Sequence, residues 1–116
     1  VILGITNKDG FGPILMVGFG GTSVEASGDV AFALCPVTPK KGENLLGTLK
    51  GSVFFDKKRY DLPALVRLMT TLSSFAISVQ HLISEIDLNP VILHSPGNGI
   101  SVVDALMVKF DETSKR

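Results

Sequence analysis

Apolar and polar residues alternate most regularly between Glu85 and Asn89, with the period of two that is typical of a β-strand. A second apolar run begins at residue 100, and the four residues between the two runs, 95–98, are Ser-Pro-Gly-Asn, which favours a tight turn. We therefore predict a β-hairpin over residues 84–104. If residues 95–98 form its loop, residues whose numbers add up to 193 face each other, and Asn89 lies opposite Asp104.

The polar side chains of this hairpin are expected to lie together. Glu85, Asp87 and Asn89 share one face of the first strand, and Asp104 comes from the second strand. Carboxylates held close together repel one another unless a cation lies between them. Carboxylate and amide oxygens suit Mg²⁺, which takes one or two carboxylates from a protein and its other ligands from water and phosphates. The pattern predicts a magnesium site, and a solvated polar face on a half-exposed sheet is the structural alternative.

The clearest helical pattern spans residues 61–81. Asp61 is placed as its N-cap, and proline is tolerated at position 63 in the first turn. Its apolar residues recur at spacings of three and four, which predicts one buried face: Leu65, Leu68, Met69, Leu72, Phe75, Ala76 and Val79. A shorter helix is predicted to begin at Thr38-Pro39 and to end near Gly51.

Three further runs have the composition of strands, at residues 1–6, 13–19 and 30–37. Together with the hairpin they predict an α+β fold, an antiparallel sheet of about five strands with one long and one short helix packed on it. We expect residues 1–116 to form a single unit.

Composition excludes several functions. The net charge is zero, whereas a nucleic-acid-binding domain has an excess of basic residues on one face. No apolar run reaches the roughly 18 residues of a membrane span, so neither nucleic acid nor a membrane is an expected partner, and the cytoplasm is the expected location. The single cysteine, Cys35, lies in an apolar run and is predicted to be a small buried hydrophobe rather than a nucleophile. The basic run before Tyr60 is predicted to be a solvated loop.

Two blocks of sequence resemble a known family. SEIDLNPVIL followed by VVDA resembles the E-L-D-I-N-P-L and D-A patterns that end the ATP-grasp domain of the NDP-forming acyl-CoA synthetases, the family of ADP-forming acetyl-CoA synthetase. Upstream, FGPILMVGFGGTSVEASGDVAFALCPVT resembles the family block F-G-P-V-V-M-F-G-L-G-G-x-x-V-E-x-x-x-D-V-A-F-x-L-x-P-L-T. The two blocks occur in the family's order and cover about half of the chain.

The resemblance implies the C-terminal part of an ATP-grasp domain, with ATP or ADP and Mg²⁺ as ligands. It places Glu25 in the nucleotide site or its hinge, and the glycine run with Gly20 and Gly21 is the candidate loop for a phosphate contact. The metal ligands expected from the hairpin are Asn89, Asp104, Asp87 and Glu85. From the residues alone, the glycines equally indicate a bulge or tight turn. Asp29 matches the family's aspartate, with a turn-capping or salt-bridge role as the alternative.

The resemblance further implies that another domain or subunit binds CoA, that a phosphohistidine elsewhere in the parent enzyme relays the phosphoryl group, and that the parent is an oligomer. Neither His81 nor His94 falls on a relay motif. The chain begins without methionine and enters a strand at once, so we expect a piece of a longer protein that binds ATP weakly by itself.

One departure from the family pattern keeps a second function open. Relatives carry a Y-R-G-R-P-P loop between the two helices, and only Arg59 could correspond to it here. The alternative to an enzyme is a non-catalytic or regulatory ATP-grasp-like module, such as that of a protein lysine acetyltransferase fusion.

Overall fold

The structure is a computed structural model that describes residues 1–8, 10–19, 28–51 and 57–111. Seven strands and two helices lie within these residues. The strands are β1 (Ile2–Thr6), β2 (Ile14–Gly18), β3 (Val30–Leu34), β4 (Ile83–Leu88), β5 (Val91–Leu93), β6 (Ile100–Val102) and β7 (Ala105–Lys109). The helices are α1 (Pro39–Thr48) and α2 (Leu62–Ser78).

Five strands form one antiparallel sheet in the order β3-β2-β1-β4-β7, and β5 pairs with β6 in a separate two-stranded sheet. The predicted fold class, α+β with an antiparallel sheet of about five strands and two helices, is confirmed. The predicted hairpin is divided between the two sheets, because Pro90 has no N–H group to donate to a sheet and the chain leaves the large sheet there.

The predicted register of this hairpin is right in both sheets. Residue numbers that add up to 193 are paired from Glu85 with Val108 in the large sheet to Leu93 with Ile100 in the small one. At the junction, the backbone N–H of Asn89 donates to the carbonyl oxygen of Asp104 at 3.0 Å. The four-residue turn therefore sets which residues face each other as far as Glu85 and Val108, beyond which the register shifts at Ile83.

The hydrophobic core lies between the large sheet and the helices. Alternate residues of the central strands point into it, because successive side chains of a strand project to opposite faces. The buried sheet residues include Leu3, Ile5, Leu15, Val17, Ile86 and Leu88, and the helices contribute Leu45, Leu46, Leu65, Met69, Leu72 and Ala76. Each large side chain buried in this way stabilises the fold by roughly 1.5–3 kcal/mol.

Helix α1 begins as predicted. The Thr38 hydroxyl oxygen accepts a hydrogen bond from the Lys41 N–H at 3.1 Å, and proline occupies the first turn. The helix ends at Thr48, three residues before the predicted Gly51. Leu49 is nevertheless buried, so the chain stays packed on the core beyond the helix end.

Helix α2 begins after Asp61 as predicted, and most of the predicted face is buried. Phe75 was predicted to be buried, which is wrong, since its side chain is 41% exposed. Periodicity also missed Val66 and Ser73. The Ser73 hydroxyl is completely buried because it accepts a hydrogen bond from Val37 N–H at 2.8 Å and donates one to a helix carbonyl at 2.9 Å.

Asp29 anchors the turn that follows α1. Its carboxylate accepts hydrogen bonds from the N–H groups of Lys50 at 2.6 Å and Gly51 at 3.0 Å. A side chain at Gly51 would overlap the ring of Phe19, so glycine is required there by a close approach. These contacts support the turn-capping role of Asp29.

The thiol of Cys35 is partly buried, and burial raises its pKa to about 11. The thiol therefore stays protonated near neutral pH and is a poor nucleophile, as the sequence predicted. Within the described residues, neither helix is long and apolar enough to cross a membrane.

Candidate functional site on the open sheet face

The candidate site lies on the face of the large sheet that points away from the helices. The alternation of β4 puts Ile86 and Leu88 into the core, so Glu85 and Asp87 point to the opposite face. Both acidic side chains are half-buried, and Asn89 beyond the strand end is exposed. The predicted sharing of one face by the two carboxylates of β4 is confirmed.

One row of paired residues crosses this face from edge to edge. Sheet pairing aligns Phe32, Met16, Gly4, Asp87 and Leu106, one residue from each strand, and we call this set the central row. At its two ends the side chains are largely exposed, 58% for both Phe32 and Leu106. The central row is therefore apolar at Met16 on β2 and acidic at Asp87 on β4. Gly4 on β1 lies between them.

A cavity of about 490 Å³ lies over the middle of this row. Glu85, Asp87 and Asn89 line one side of it, and Met16 and Phe32 line the other. A concave site with an apolar wall and a few polar groups is the usual form of a small-molecule site. The cavity can accommodate a ligand that has both an apolar part and a charged part.

Asp104 lies beside this group rather than in the cavity wall. It is opposite Asn89, as the register predicted, and the two residues are joined by their backbones. The Asp104 side chain is exposed, and its Oδ1 atom accepts a hydrogen bond from the next backbone N–H at 2.9 Å. Its other oxygen accepts no hydrogen bond from the described residues.

The acidic groups of β4 differ in their partners. Glu85 forms an ion pair with Lys8, with 3.2 Å between the Lys8 Nζ and Glu85 Oε2 atoms. No hydrogen bond or ion pair within the described residues reaches the side chains of Asp87 or Asn89. The oxygens of Asp87 and Asn89 are therefore available to an external partner, and Glu85 would have to leave Lys8 first.

The donor set of the described residues fits Mg²⁺ only if other ligands come from elsewhere. Carboxylate and amide oxygens are the hard ligands that Mg²⁺ prefers, and one or two carboxylates are its usual share from a protein. In the part of the chain that the structure describes, no three His, Cys, Asp or Glu side chains come together closely enough to hold a metal ion. The arrangement fits a metal held jointly by protein, water and ligand phosphates.

The predicted nucleotide contacts Gly20, Gly21 and Glu25 lie outside the described residues.

A second polar centre, which sequence reasoning missed, joins helix α2 to the hairpin tip. Asp61 is 6% exposed, and its carboxylate accepts hydrogen bonds from the N–H groups of Ala64 (3.2 Å), Gly97 (3.1 Å) and Gly99 (2.8 Å). These bonds, the one from Gly99 foremost, lower the pKa of Asp61 below its usual value. The sequence identified the cap at Ala64, but nothing in it marks contacts with residues more than thirty positions away.

A cavity of about 670 Å³ adjoins Asp61, between α1, the start of α2 and the hairpin tip. It is larger than the cavity on the sheet face. We favour the sheet face as the functional site because the Asp61 carboxylate is already saturated by backbone donors, whereas the Asp87 carboxylate is not.

Neither histidine lines the cavity on the sheet face. His81 is exposed in the turn after α2. His94 Nε2 lies 2.7 Å from the Ser101 hydroxyl, and the His94 carbonyl accepts from the Asp61 N–H at 2.8 Å, so it belongs to the hairpin. Arg59 stacks on Tyr60, with 5.8 Å between the guanidinium carbon and the ring centre.

Fold and site together define a class: a two-layer α+β lobe with helices on one sheet face and an open, partly acidic face on the other. Comparison with protein families gives a match to the ATP-grasp domain over residues 1–108. The chain therefore belongs to the ATP-grasp family.

Several of its curated relatives are named ADP-forming CoA ligases. The chain is 33% identical over 112 residues to the β subunit of acetate–CoA ligase [ADP-forming] II of Pyrococcus furiosus, which covers 93% of this chain and 48% of that subunit. The chain thus spans about half the length of this curated relative. The resemblance to ADP-forming acyl-CoA synthetases that the two sequence blocks indicated is confirmed.

Solved structures show the same fold. A crystal structure of a Pyrococcus horikoshii Ot3 protein matches with a TM-score of 0.89 and 30% identity, over 96% of this chain and 48% of that one. Dinucleotide forming acetyl-coenzyme A synthetase 1 of Ca. Korarchaeum cryptofilum matches with a TM-score of 0.84 and 30% identity, over 94% of this chain and 52% of that one. The latter protein was crystallised with coenzyme A and Mg-AMPPCP, with its phosphohistidine segment pointing towards the nucleotide binding site.

Proposed function

We propose that this chain is the Mg²⁺- and nucleotide-binding part of an ADP-forming acyl-CoA synthetase. The complete enzyme would convert a carboxylate, CoA and ATP into acyl-CoA, ADP and phosphate, with a phosphohistidine outside these residues as the relay. CoA would be bound by another domain or subunit of the same oligomeric, cytoplasmic enzyme.

The observation that carries the proposal is the pair of unoccupied acceptors on the open face. The side chains of Asp87 and Asn89 line the same cavity and bind nothing else within the described residues. A half-buried carboxylate without a partner loses part of its hydration and gains no compensating bond. Binding of a cation and phosphate oxygens at this position would compensate that loss.

The role proposed for each residue of this chain follows from its position. Asp87 and Asn89, from the end of β4, would supply ligand oxygens at the cavity wall, and Asp104 would supply its free oxygen from the start of β7. Glu85 would join them only after separating from Lys8. Gly20, Gly21 and Glu25 remain proposed nucleotide contacts on the strength of the family motif.

Bound Mg²⁺ would neutralise charge on the phosphates during phosphoryl transfer. The two strands contribute the fixed placement of the oxygens, because Asn89 and Asp104 are held together by the backbone hydrogen bond between them. Positioning of this kind is a large part of the catalysis of phosphoryl transfer.

The test uses the full-length protein with the single changes Asn89→Ala and Asp104→Ala. We expect each to abolish Mg²⁺-dependent formation of acyl-CoA and ADP, measured at several Mg²⁺ concentrations with CoA and a panel of carboxylates. Glu43→Gln, which removes an exposed charge from α1 on the helix layer, is the matched control and should leave turnover unchanged.

Full turnover in both alanine variants would contradict the assignment of these residues. A wild-type protein without nucleotide turnover, whose partner binding survives both changes, would identify the regulatory ATP-grasp-like module instead.

A further inference from the structure

The residue in the middle of the candidate site is a glycine, and the fold does not explain why. Gly4 occupies the centre of β1, which is flanked by β2 and β4 in the interior of the large sheet. Glycine weakens the interior of a strand because it loses much backbone freedom on folding and has no side chain to pack. Where glycine is found at such a position, it often marks a close approach by a ligand or another backbone.

Backbone conformation does not require glycine at this position. The described glycines with positive φ are Gly10, Gly12, Gly28, Gly97 and Gly99, and Gly4 is not one of them. Gly4 is paired in regular antiparallel register with Met16 on one side and Asp87 on the other, so it forms neither a turn nor a bulge. An L-residue with a side chain could adopt the same conformation.

Packing does not require glycine either. A Cβ atom built on Gly4 would lie 3.4 Å from the terminal methyl of Met16 and 3.5 Å from the carbonyl oxygen of Ile86. Just these two groups of the described residues come within 4 Å, and the nearer one is the end of a flexible side chain. Gly51 is the opposite case, because a Cβ atom there would overlap an aromatic ring. Alanine would therefore fit at position 4.

What a side chain at position 4 would occupy is the cavity. Side chains of β1 alternate, and Leu3 and Ile5 point into the core, so position 4 points to the open face. In the central row it separates the apolar Met16 from the acidic Asp87, and it lines the cavity together with both. Neighbouring strands are about 4.8 Å apart, so a ligand that reaches Asp87 from β2 must pass directly over Gly4.

We propose that Gly4 is a specificity-determining residue whose missing side chain leaves room for the phosphate chain of the nucleotide. This inference rests on the proposed function, since it concerns the same cavity. The phosphates approach the β1 backbone more closely than any side chain would allow, and this approach brings them within reach of Asp87 and Asn89. A residue larger than alanine would hold the phosphates away from both.

The experiment uses the full-length protein with Gly4→Ala and Gly4→Val. Valine suits a strand, so we expect the melting temperature without ligand to stay equal or rise. We expect the Kd for ATP in the presence of Mg²⁺, measured by calorimetry, to rise about tenfold or more in Gly4→Val and by a smaller factor in Gly4→Ala. Gly47→Ala and Gly47→Val are the matched controls, because Gly47 is exposed on α1 with open space around it, and both should keep the wild-type Kd.

Two results would overturn the role of Gly4. A Kd for Gly4→Val within about twofold of wild type would show that the space above β1 is not used. A melting temperature several degrees lower in both Gly4 variants would show that glycine is needed for packing. If Gly4→Val lowers the melting temperature and Gly4→Ala does not, the Kd of Gly4→Ala is the deciding measurement. A wild-type Kd in Gly4→Ala then overturns the inference. The wild-type protein tells failure of the proposed function apart from failure of this inference. If the proposed function is wrong, the wild-type protein shows no Mg²⁺-dependent nucleotide binding at all.

Discussion

Asp61 and Asp87 are both aspartates with restricted exposure, and their surroundings are opposite. Asp61 accepts three backbone hydrogen bonds that join α2 to the hairpin tip. The carboxylate of Asp87 accepts none from the described residues and faces a cavity. The difference teaches that hydrogen-bond saturation distinguishes a structural carboxylate from a carboxylate available to a ligand.

The largest expected effect is on activity, and it belongs to Asp87. In the full-length protein, Asp87→Asn should lower Mg²⁺-dependent turnover by on the order of 100-fold, because it removes one charge that a metal ion and phosphates would use. Its melting temperature without ligand should not fall, since the change removes repulsion between Asp87 and Glu85 on one face. A variant that loses stability and activity together would place Asp87 with Asp61 as a structural residue.

Asp61→Ala should have the reverse effect. It leaves the N–H groups of Ala64, Gly97 and Gly99 without their acceptor, so the melting temperature should fall by several degrees. The comparison variant Glu43→Ala, which changes an exposed carboxylate on α1, should melt close to wild type. Thermal unfolding followed by circular dichroism measures both, and equal melting temperatures would contradict the anchoring role.

The pH dependence of stability tests the structural role of Asp61, which distinguishes it from Asp87. Hydrogen bonds lower the pKa of Asp61 in the folded protein, so unfolding requires proton uptake by this group at acid pH. The stabilisation is present above the ordinary aspartate pKa of about 4 and is lost as the pH falls through the lowered folded pKa. The melting-temperature difference between wild type and Asp61→Asn should therefore shrink as the pH falls from 6 to about 2. A difference that is constant over this range would contradict the prediction.

Gly51→Ala tests the second anchored turn, which Asp29 holds. The added methyl group would overlap the ring of Phe19, and forcing atoms into packed space typically costs about 1–3 kcal/mol. Denaturant unfolding measures this free energy. Gly47→Ala is the control, because its added methyl group meets open space in a helix and should stabilise by about 0.5–1 kcal/mol.

The smallest effect is expected for Lys8→Ala. Its ion pair with Glu85 is exposed, with 56% and 42% of the two side chains accessible, and such pairs contribute less than about 1 kcal/mol. Unfolding in low salt should show a small loss that disappears in high salt. A loss above 2 kcal/mol would mean that Glu85 is a structural carboxylate like Asp61.

The isolated 116-residue chain should bind ATP weakly or undetectably, because it spans about half the length of the curated relative and its described residues form a single lobe. Calorimetry with Mg²⁺ and ATP measures this directly. Micromolar affinity would contradict the prediction.

The elements that sequence predicted well depend on local chemistry. The turn residues 95–98 set the register of the hairpin from Leu93 and Ile100 out to Glu85 and Val108. The N-caps at Thr38 and Asp61 set both helix starts. The grouping of Glu85 and Asp87 on one face followed from strand alternation alone. Each of these inferences needs only residues that are neighbours in the chain or in one hairpin.

The features that sequence did not predict depend on distant segments. Periodicity marks Phe75 as apolar, but its burial depends on what distant segments pack against that turn of α2, and its side chain is 41% exposed. Ser73 reads as a surface residue until the loop after β3 supplies the N–H of Val37 to its hydroxyl. The departure of the chain from the large sheet at Pro90 is different, because the missing backbone N–H group of proline is enough to predict it.

The common register of the two sheets has a consequence for changes of length. Because side chains alternate along both arms of the hairpin, deleting one residue between Pro90 and Val103 would turn Asp104 to the opposite surface unless a bulge absorbed the change. Adding one residue pair at the tip, one per arm, would preserve the facing of Asn89 and Asp104. Engineered versions of this lobe can therefore vary in hairpin length by matched pairs, and an odd change would separate the two oxygens that the proposed metal needs.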